Sequence, residues 1–133
     1  MGVVQDPVAD MLARLRNAQI AGHARTEIPA SKLKEAILKI FAERGYIGGV
    51  ERIDEGPQGK LVVELGYDKD DVGLIQSMKR ISKPSRRVYV GVEEIPDILN
   101  GLGVAVLSTS RGVLTNEDAR AANIGGELLC SIY

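Results

Sequence analysis

The stretch Gly101-Leu-Gly-Val-Ala-Val-Leu-Ser-Thr-Ser-Arg-Gly112 joins an apolar segment to a row of hydroxyl groups. Its first half, Val104–Leu107 between small residues, predicts a buried strand. Ser108, Thr109 and Ser110 follow where that strand is expected to end. Short hydroxyl side chains on a stiff strand suit a ligand rich in oxygen atoms, such as an RNA backbone with its phosphates and 2′-hydroxyls. The alternative is a turn whose hydroxyl groups bond only to the adjacent backbone.

The sequence around this stretch predicts a β-rich C-terminal half. Thr115-Asn116-Glu117-Asp118 has the pattern of a capping box, in which a hydroxyl and an acid three residues later begin a short helix. The other elements expected here are a strand over Arg87–Val92, a turn or short helix over Ile95–Asn100, a strand over Gly103–Leu107 and, after Gly125-Gly126, a last strand over Leu128–Tyr133.

The N-terminal half predicts a helix, a strand, a second helix and a hairpin. Asp6 and Pro7 fit the N-cap and the first position of the first helix. Apolar residues at helical spacing predict its buried stripe, which is Val8, Met11, Leu12, Leu15 and Ala18. The next elements are a strand over Ala24–Pro29, a helix capped by Ser31 and running through Arg44, and hairpin strands over Val50–Asp54 and Lys60–Leu65. The second helix is expected to bury Leu33, Ala36, Ile37, Ile40 and Phe41.

Together these elements predict an α+β fold made of two small α/β units. In this interpretation residues 1–70 form an N-terminal α/β domain of helix, strand, helix and hairpin. Residues 71–133 form a β-rich C-terminal domain with short helices and the RNA-binding surface. The polar and acidic segment Tyr67–Gly73 is the expected boundary between them.

The net charge of the chain argues against RNA binding, but the charge of one segment does not. The formal net charge is −1, whereas nucleic-acid-binding domains usually carry a basic excess. Met78–Arg87 nevertheless contains five cations and no acid, while acids gather elsewhere in the sequence. Because binding depends on local patches, a basic face is compatible with a mildly acidic protein.

Lys32 and Lys34 lie in the first turn of the second predicted helix, where the helix dipole opposes positive charge. A phosphate bound at that helix end would explain their position. The alternative is that both are exposed lysines that tolerate a small penalty.

The sequence lacks the residue patterns of common catalytic and metal sites. One Cys and one His, Cys130 and His23, cannot make the usual zinc sets. Gly101–Val106 has the start of a dinucleotide fingerprint, but the third glycine and the following helix are missing. We therefore expect no enzyme activity, no cofactor and no metal. We also expect a cytoplasmic protein with a buried Cys130, no signal peptide and no membrane span.

Blocks of sequence spread over nearly the whole chain match one known family. They are Asp6–Leu12, Arg14–Ala18, Pro29–Lys34, Gly45–Ile47, Ile81–Tyr89, Ser108–Val113 and Asn123–Cys130. In this order and spacing they resemble the bacterial small-subunit ribosomal protein eight family. One departure is Ser85, since the family usually has glycine after the Lys-Pro pair. A serine there is strained only if the turn requires a positive φ.

The resemblance implies a ribosomal RNA-binding protein of the small (30S) subunit. Such a protein is a primary binder of the central domain of 16S ribosomal RNA and helps to organise the platform during assembly. Its expected neighbours are other small-subunit ribosomal proteins, numbers five and twelve, in the cytoplasmic ribosome. Some members of the family also repress translation of their own messenger RNA.

With that resemblance, we expect recognition of a folded RNA helix across its shallow minor groove and at an irregular internal loop. Hydroxyl groups would bond to sugars, phosphates and base edges, the glycines would allow close backbone approach, and Glu127 would accept from a base amine or a 2′-hydroxyl. Cations would hold phosphates, and Tyr89 would lie against a sugar or base unless it is a core residue. The expected RNA-binding residues are Ser108, Thr109, Ser110, Arg111, Gly125, Gly126, Glu127, Tyr89, Lys83, Arg86, Arg87, Lys32, Lys34, Asp6, Pro7, Asp10, Arg14 and Asn17.

Two alternatives remain at this point. Asp10, Arg14 and Asn17 share the polar face of the first helix, and a solvated face is what most surface helices show there. For the whole chain, the alternative is a protein-interaction or regulatory module whose acidic surface meets a basic partner. That alternative predicts no salt-sensitive affinity for RNA.

Overall fold

The computed structural model describes residues 5–133, which divide into two units, each with its own dense internal contacts. One unit is Pro7–Gln76, and the other is Ser77–Tyr133 together with Asp6. The expected boundary between residues 70 and 71 stays a prediction, and the first four residues of the expected N-terminal domain lie outside the described part of the chain. Both units combine helix with antiparallel sheet, so the α+β fold class is confirmed.

In the unit Pro7–Gln76, two helices pack against one three-stranded antiparallel sheet. The elements are α1 (Pro7–Ile20), β1 (Arg25–Pro29), α2 (Lys32–Glu43), β2 (Ile47–Ile53) and β3 (Lys60–Leu65), and the strand order is β1-β3-β2. The predicted order of helix, strand, helix and hairpin is confirmed. The predicted stripe of α1 is buried in full, because apolar residues three and four apart share one face of a helix.

Helix α2 begins where the sequence predicts, but its buried face is turned by about one residue. The Ser31 hydroxyl accepts from the Lys34 backbone N–H at 3.1 Å, which confirms the N-cap. Leu33 is 38% exposed and Ala36 is half-buried, whereas Leu38 is fully buried, so the prediction was wrong to include the first two and omit the third. The reason is Lys34, whose long aliphatic stem takes a place on the buried side.

In the unit Ser77–Tyr133, strand β8 is the centre of the sheet. Its elements are β4 (Met78–Arg80), β5 (Tyr89–Val90), β6 (Val104–Thr109), β7 (Gly112–Thr115), α3 (Asn116–Ala121) and β8 (Gly126–Ile132), with 3₁₀ turns over Val92–Glu94 and Leu99–Gly101. The strand order is β4-β8-β6-β7, and β5 also pairs with β8. Helix α3 covers β6, and the core between them contains Ile95, Ala105, Leu107, Ala119 and Leu128.

Several strands of this unit differ from their predicted extent. Strand β8 covers Gly126–Ile132 and not Leu128–Tyr133, and strand β4 was not predicted. Strand β7 was not predicted, because its four residues follow the hydroxyl row and read as turn. The strand expected over Arg87–Val92 shrinks to Tyr89–Val90, since only these two residues pair with β8. Strand β6 continues to Thr109, so two of the three hydroxyl residues lie inside the strand.

Two local predictions are confirmed, the cap of α3 and the burial of Cys130. The Thr115 hydroxyl accepts from the Asp118 backbone N–H at 3.0 Å and caps α3. Cys130 is fully buried, and burial raises the pKa of its thiol to about 12. None of the helices within residues 5–133 is long and apolar enough to cross a membrane.

The Ser85 position is unstrained. The backbone groups of Lys83 and Arg86 bond to each other in both directions, at 3.0 and 2.9 Å, and Pro84 and Ser85 form the turn between them. Ser85 is not among the described non-glycine residues with a positive φ. A serine therefore fits this turn without backbone strain.

Candidate nucleic-acid interface

In the turn between β6 and β7, the hydroxyl of Thr109 bonds to backbone groups of the turn itself. Thr109 Oγ1 donates to the Gly112 carbonyl oxygen at 2.8 Å and accepts from the Arg111 backbone N–H at 3.1 Å. For Thr109, the interpretation as a turn-closing residue therefore holds. Within the described residues, the hydroxyl groups of Ser108 and Ser110 make no hydrogen bond, and Ser110 is exposed. These two hydroxyls keep their capacity for a ligand.

Glu127 lies on β8 between two strands that carry other expected site residues. It is opposite Ser108 on β6 and opposite Tyr89 on β5. Its Oε2 accepts from the Ser82 hydroxyl at 2.5 Å and from Arg87 Nη1 at 3.0 Å. Both bonds end on the same oxygen, Oε2. Among the described residues no donor bonds to the other oxygen, Oε1, which is therefore held in place as an acceptor. The Glu127 side chain is 18% exposed.

Ser82 belongs to this site, although it is not among the RNA-binding residues that the sequence predicts. It is fully buried, and its hydroxyl accepts from the Val88 backbone N–H at 3.1 Å while it donates to Glu127. Its position therefore fixes the direction of the carboxylate. No local pattern could have revealed this role, since Ser82 and Glu127 are 45 residues apart in the sequence.

Gly125 and Gly126 are required by the packing of the protein itself. A Cβ at Gly125 would overlap the Val90 carbonyl oxygen, and a Cβ at Gly126 would overlap the Ser108 carbonyl oxygen. The backbones of β5 and β6 therefore approach the start of β8 more closely than any side chain would allow. The additional expectation, that RNA backbone approaches at these glycines, stays a prediction.

The cations of Met78–Arg87 divide into structural and exposed groups. Arg80 is structural: its guanidinium pairs with Asp6 at 3.0 Å and donates to the Leu129 carbonyl oxygen at 2.7 Å, and its side chain is only 9% exposed. Asp6, one of the expected RNA-binding residues, is thus held in an internal ion pair with a side chain that is 16% exposed. We assign this pair to the fold of the unit.

The remaining cations of that segment reach solvent. Lys79, Lys83 and Arg86 are exposed. Arg87 is half exposed but is bound to Glu127, so its charge is partly balanced. We therefore expect Lys83 and Arg86, at the ends of the turn, to be the stronger candidates for phosphate contacts, and Arg87 to orient the carboxylate as well.

Tyr89 is an exposed residue. Its exposure is 69%, so the alternative of a core tyrosine is wrong. Because it stands opposite Glu127 in the sheet, the two side chains leave the same face of the sheet. An exposed aromatic ring next to a hydrogen-bond acceptor is a suitable surface for a ribose or a base.

In the unit Pro7–Gln76, the polar face of α1 is exposed as predicted. Asp10 and Arg14 form an ion pair at 3.0 Å, one helical turn apart, and Pro7 and Asn17 are exposed. A shallow groove of about 410 Å³ runs beside this face and is lined by Arg14, Asn17, Ala18, Ala21, His23 and Thr26. The solvated-face interpretation and a contact with RNA are both compatible with this arrangement.

The two lysines at the start of α2 differ in environment. Lys32 is exposed, whereas Lys34 is 6% exposed. Burial lowers the pKa of Lys34, the nearby Arg14 lowers it further, and Asp10 acts in the opposite direction. Within the described residues its ammonium group makes no hydrogen bond. The alternative of two exposed lysines is therefore wrong for Lys34.

The described residues contain no group of three or more His, Cys, Asp or Glu side chains placed to hold a metal ion.

Comparison with known proteins gives one consistent result. The family model described as ribosomal protein S8 matches residues 6–133. A relative named small ribosomal subunit protein uS8, from Desulforudis audaxviator, is 50% identical over 131 residues, which cover 98% of this chain and 100% of the relative. A protein of the same name from Natranaerobius thermophilus is 53% identical over 96% of this chain and 97% of its own length. One from a Thermoanaerobacter species is 49% identical over 98% and 99%, respectively.

Proposed function

Because the chain belongs to the ribosomal protein S8 family, we propose that it binds the central domain of 16S ribosomal RNA as a primary RNA-binding protein of the small subunit. The family shows that the chain is a ribosomal protein of the small subunit. The RNA domain, the contact residues and the role in assembly are the content of the proposal. The family is one of ribosomal proteins and not of enzymes.

The observation that supports this function best is the fixed carboxylate of Glu127 between two exposed strand ends. Ser108 lies opposite it on one side and Tyr89 on the other. Ser82 and Arg87 hold Oε2, so Oε1 accepts a hydrogen bond without first losing conformational freedom. A donor that fits this oxygen is a base amine or a 2′-hydroxyl, and both are exposed in the wide minor groove of an RNA helix.

The Ser110 hydroxyl and the Arg111 side chain add hydrogen-bond donors to the acceptor that Glu127 provides. Both are exposed at the β6–β7 turn, which Thr109 closes from inside. A hydroxyl can donate to and accept from a ribose or a base edge, while a guanidinium contacts a phosphate. The combination of donors and acceptors discriminates among RNA sites, which a row of cations alone does not.

Affinity would come mainly from exposed cations. In the unit Ser77–Tyr133 these are Lys83 and Arg86, at the two ends of a closed turn. In the unit Pro7–Gln76 an exposed candidate is Lys32, at the N-terminus of α2, whereas the neighbouring Lys34 is buried and its pKa is lowered by that burial. A phosphate near Lys34 would restore the charge balance that its environment lacks.

The further parts of the proposal concern place and partners. As an early RNA binder the chain would help to organise the platform of the small subunit, beside small-subunit proteins five and twelve, in the bacterial cytoplasm. An RNA helix of similar shape in its own messenger RNA would be a second ligand, through which it would repress its own translation.

A filter-binding assay with two RNA fragments tests the function. We expect the chain to bind a fragment of the 16S central domain at least a thousandfold more tightly than a fragment of equal length from another domain, the lower end for specific nucleic-acid recognition. Equal affinities for the two fragments would contradict recognition of the central domain. No salt-sensitive affinity for either would favour the protein-interaction alternative.

A further inference from the structure

The turn over Lys83–Arg86, which we call the 83–86 turn, presents two positive charges side by side. Lys83 and Arg86 form an antiparallel bridge, in which each backbone N–H donates to the carbonyl oxygen of the other residue. Residues opposite each other in such a bridge send their side chains to the same face, where like charges are destabilising. Both are exposed, and within residues 5–133 neither side chain makes a hydrogen bond or an ion pair. An anion between them would remove the repulsion.

The base of the 83–86 turn is fixed to strand β8. The Ser82 backbone N–H donates to the Leu128 carbonyl oxygen at 3.1 Å, and the Leu128 N–H donates to the Val88 carbonyl oxygen at 2.9 Å. The buried Ser82 hydroxyl also accepts from the Val88 N–H at 3.1 Å, which ties the two ends of the turn together. The backbone that carries the two cations is therefore already in place when a ligand arrives, so less conformational entropy is lost on binding.

Ser85 places a hydroxyl at the tip of this turn. Pro84 and Ser85 are the two residues between the bridged pair. Ser85 is not among the described residues with a positive φ, which excludes the type II turn that needs one at this place. It is exposed, and its hydroxyl makes no hydrogen bond within the described part of the chain. Unlike the Thr109 hydroxyl, which closes its own turn, the Ser85 hydroxyl is available to a ligand.

We propose that Ser85 is an RNA-binding residue, which donates its hydroxyl to an oxygen of the phosphate that Lys83 and Arg86 hold. A hydroxyl makes a stronger hydrogen bond to a charged oxygen than to a neutral one. No acid lies in Met78–Arg87 to repel the phosphate. The proposal adds a residue to those that the sequence predicts, and it rests on the proposed function, since it takes the anion to be a phosphate of RNA.

A cycle of substitutions on the turn tests the proposal. Ser85→Ala is made in the wild-type chain and in the double variant Lys83→Ala with Arg86→Ala. Filter binding measures both against the 16S central-domain fragment and an unrelated duplex RNA. In the wild-type chain we expect both affinities to fall by about three- to tenfold, the range for one lost hydrogen bond. In the double variant the same substitution should change them by less than about twofold, because the phosphate is no longer held there.

The salt dependence and two further variants separate a hydroxyl contact from other effects. Because the lost group is uncharged, Ser85→Ala should leave the slope of log affinity against log salt unchanged. Ser85→Thr keeps a hydroxyl and should keep both affinities within about twofold of wild type. Ser110→Ala, at the exposed serine of the β6–β7 turn, should in contrast lower affinity for the 16S fragment alone, since phosphate contacts carry no sequence information.

A duplex DNA of the unrelated sequence separates a phosphate contact from a contact with the 2′-hydroxyl, which DNA lacks. Ser85→Ala should weaken DNA binding by the same factor as binding to the unrelated RNA. A loss on RNA without a loss on DNA would overturn the phosphate contact and assign the Ser85 hydroxyl to a ribose. A loss confined to the 16S fragment would overturn it in favour of a base edge.

The remaining outcomes distinguish this proposal from the proposed function. Unchanged RNA affinities of Ser85→Ala, or an equal loss with and without the two cations, would contradict the phosphate contact. A lower melting temperature of Ser85→Ala would also contradict it, because the hydroxyl would then serve the fold. None of these results bears on whether the wild-type chain prefers the 16S fragment. If it binds both RNAs equally, the proposed function fails, and an equal loss from Ser85→Ala on both would still support the phosphate contact.

Discussion

At the scale of single residues, Glu127 shows how the fold fixes a side chain of modest exposure. Its Oε2 is occupied by Ser82 and Arg87, so the carboxylate cannot rotate freely, and the proposed RNA ligand would meet an oxygen already in place. The sequence predicted that Glu127 would accept a hydrogen bond from RNA but could not predict what holds it. The two donors come from positions 45 and 40 residues earlier, and only the pairing of β5 and β4 with β8 brings them near.

Glu127→Gln should weaken binding to the cognate RNA by about tenfold, or ~1.4 kcal/mol. The amide has one acceptor oxygen where the carboxylate has two, and it loses the charge that Arg87 and Ser82 bind. Filter binding on cognate and unrelated RNA measures the effect. Glu93→Gln, at an exposed glutamate, is the matched control. If both substitutions change cognate affinity equally, Glu127 has no specific role.

Cys130 gives a prediction of stability against pH. Burial raises its pKa from 9.0 to about 12, so the folded state keeps the proton that the unfolded state releases above pH 9. The contribution is fully present below pH 9 and is lost as the pH rises toward 12, at up to ~1.4 kcal/mol per pH unit. Urea unfolding of wild type and Cys130→Ala between pH 8 and pH 11 should show a smaller slope for the variant. Equal slopes would contradict the buried, protonated thiol.

At the scale of elements, the β6–β7 hairpin uses the Thr109 hydroxyl internally and leaves those of Ser108 and Ser110 without a hydrogen bond among the described residues. The sequence correctly predicted the strand and the turn, and it left open whether the hydroxyls serve the fold or a ligand. The structure shows a role in the fold for Thr109, which closes the turn through two hydrogen bonds. Strand β7 could not be predicted, because four residues next to a turn carry too little periodicity.

Thr109→Val should therefore affect the stability of the fold, whereas Ser110→Ala should affect RNA binding. The first removes both turn hydrogen bonds and should lower the free energy of unfolding by about 1–2 kcal/mol. The second should leave the melting temperature unchanged and reduce cognate RNA affinity by roughly tenfold, with little change on unrelated duplex RNA. Thermal melts and filter binding on both variants make the comparison. A lower melting temperature for Ser110→Ala without a selective loss of cognate binding would contradict the assignment.

Helix α2 combines a correct cap with a misjudged face. Ser31 was predictable from its type and position, but the burial of Lys34 was not, since a lysine in a first turn is normally solvated. Lys32 remains exposed at the N-terminal end, where the helix dipole opposes its charge.

Lys32→Glu should stabilise the free protein by up to ~1 kcal/mol, because an acid suits a helix N-terminus. It should also weaken RNA binding, if this helix end holds a phosphate. Lys39→Glu, in the last turns of the same helix and 65% exposed, is the matched control and should not be stabilising. Unfolding curves and RNA affinities are measured together. Destabilisation by Lys32→Glu would contradict the effect expected from the helix dipole. Unchanged RNA affinity would contradict a phosphate contact at this helix end.

At the scale of the whole molecule, a net charge of −1 conceals segments of opposite sign. The sequence predicted the two-unit α+β organisation from the order of elements, and it predicted the basic segment Met78–Arg87 from composition alone. It could not predict that Arg80 is internal, because its partner Asp6 lies 74 residues away. Exposure, and not the count of cations, decides how many phosphates this segment can reach.

The most direct test of the account is the salt dependence of RNA affinity. With Lys83→Ala and Arg86→Ala combined, the slope of log affinity against log salt should flatten by about 0.7–0.9 for each lost phosphate contact, on cognate and unrelated RNA alike. Lys69→Ala, at an exposed lysine of the other unit, is the control and should keep the wild-type slope. The ratio of cognate to unrelated affinity should change little, since the proposal assigns the specificity to the hydroxyls and Glu127. An unchanged slope in the double variant, or loss of that ratio, would contradict the account.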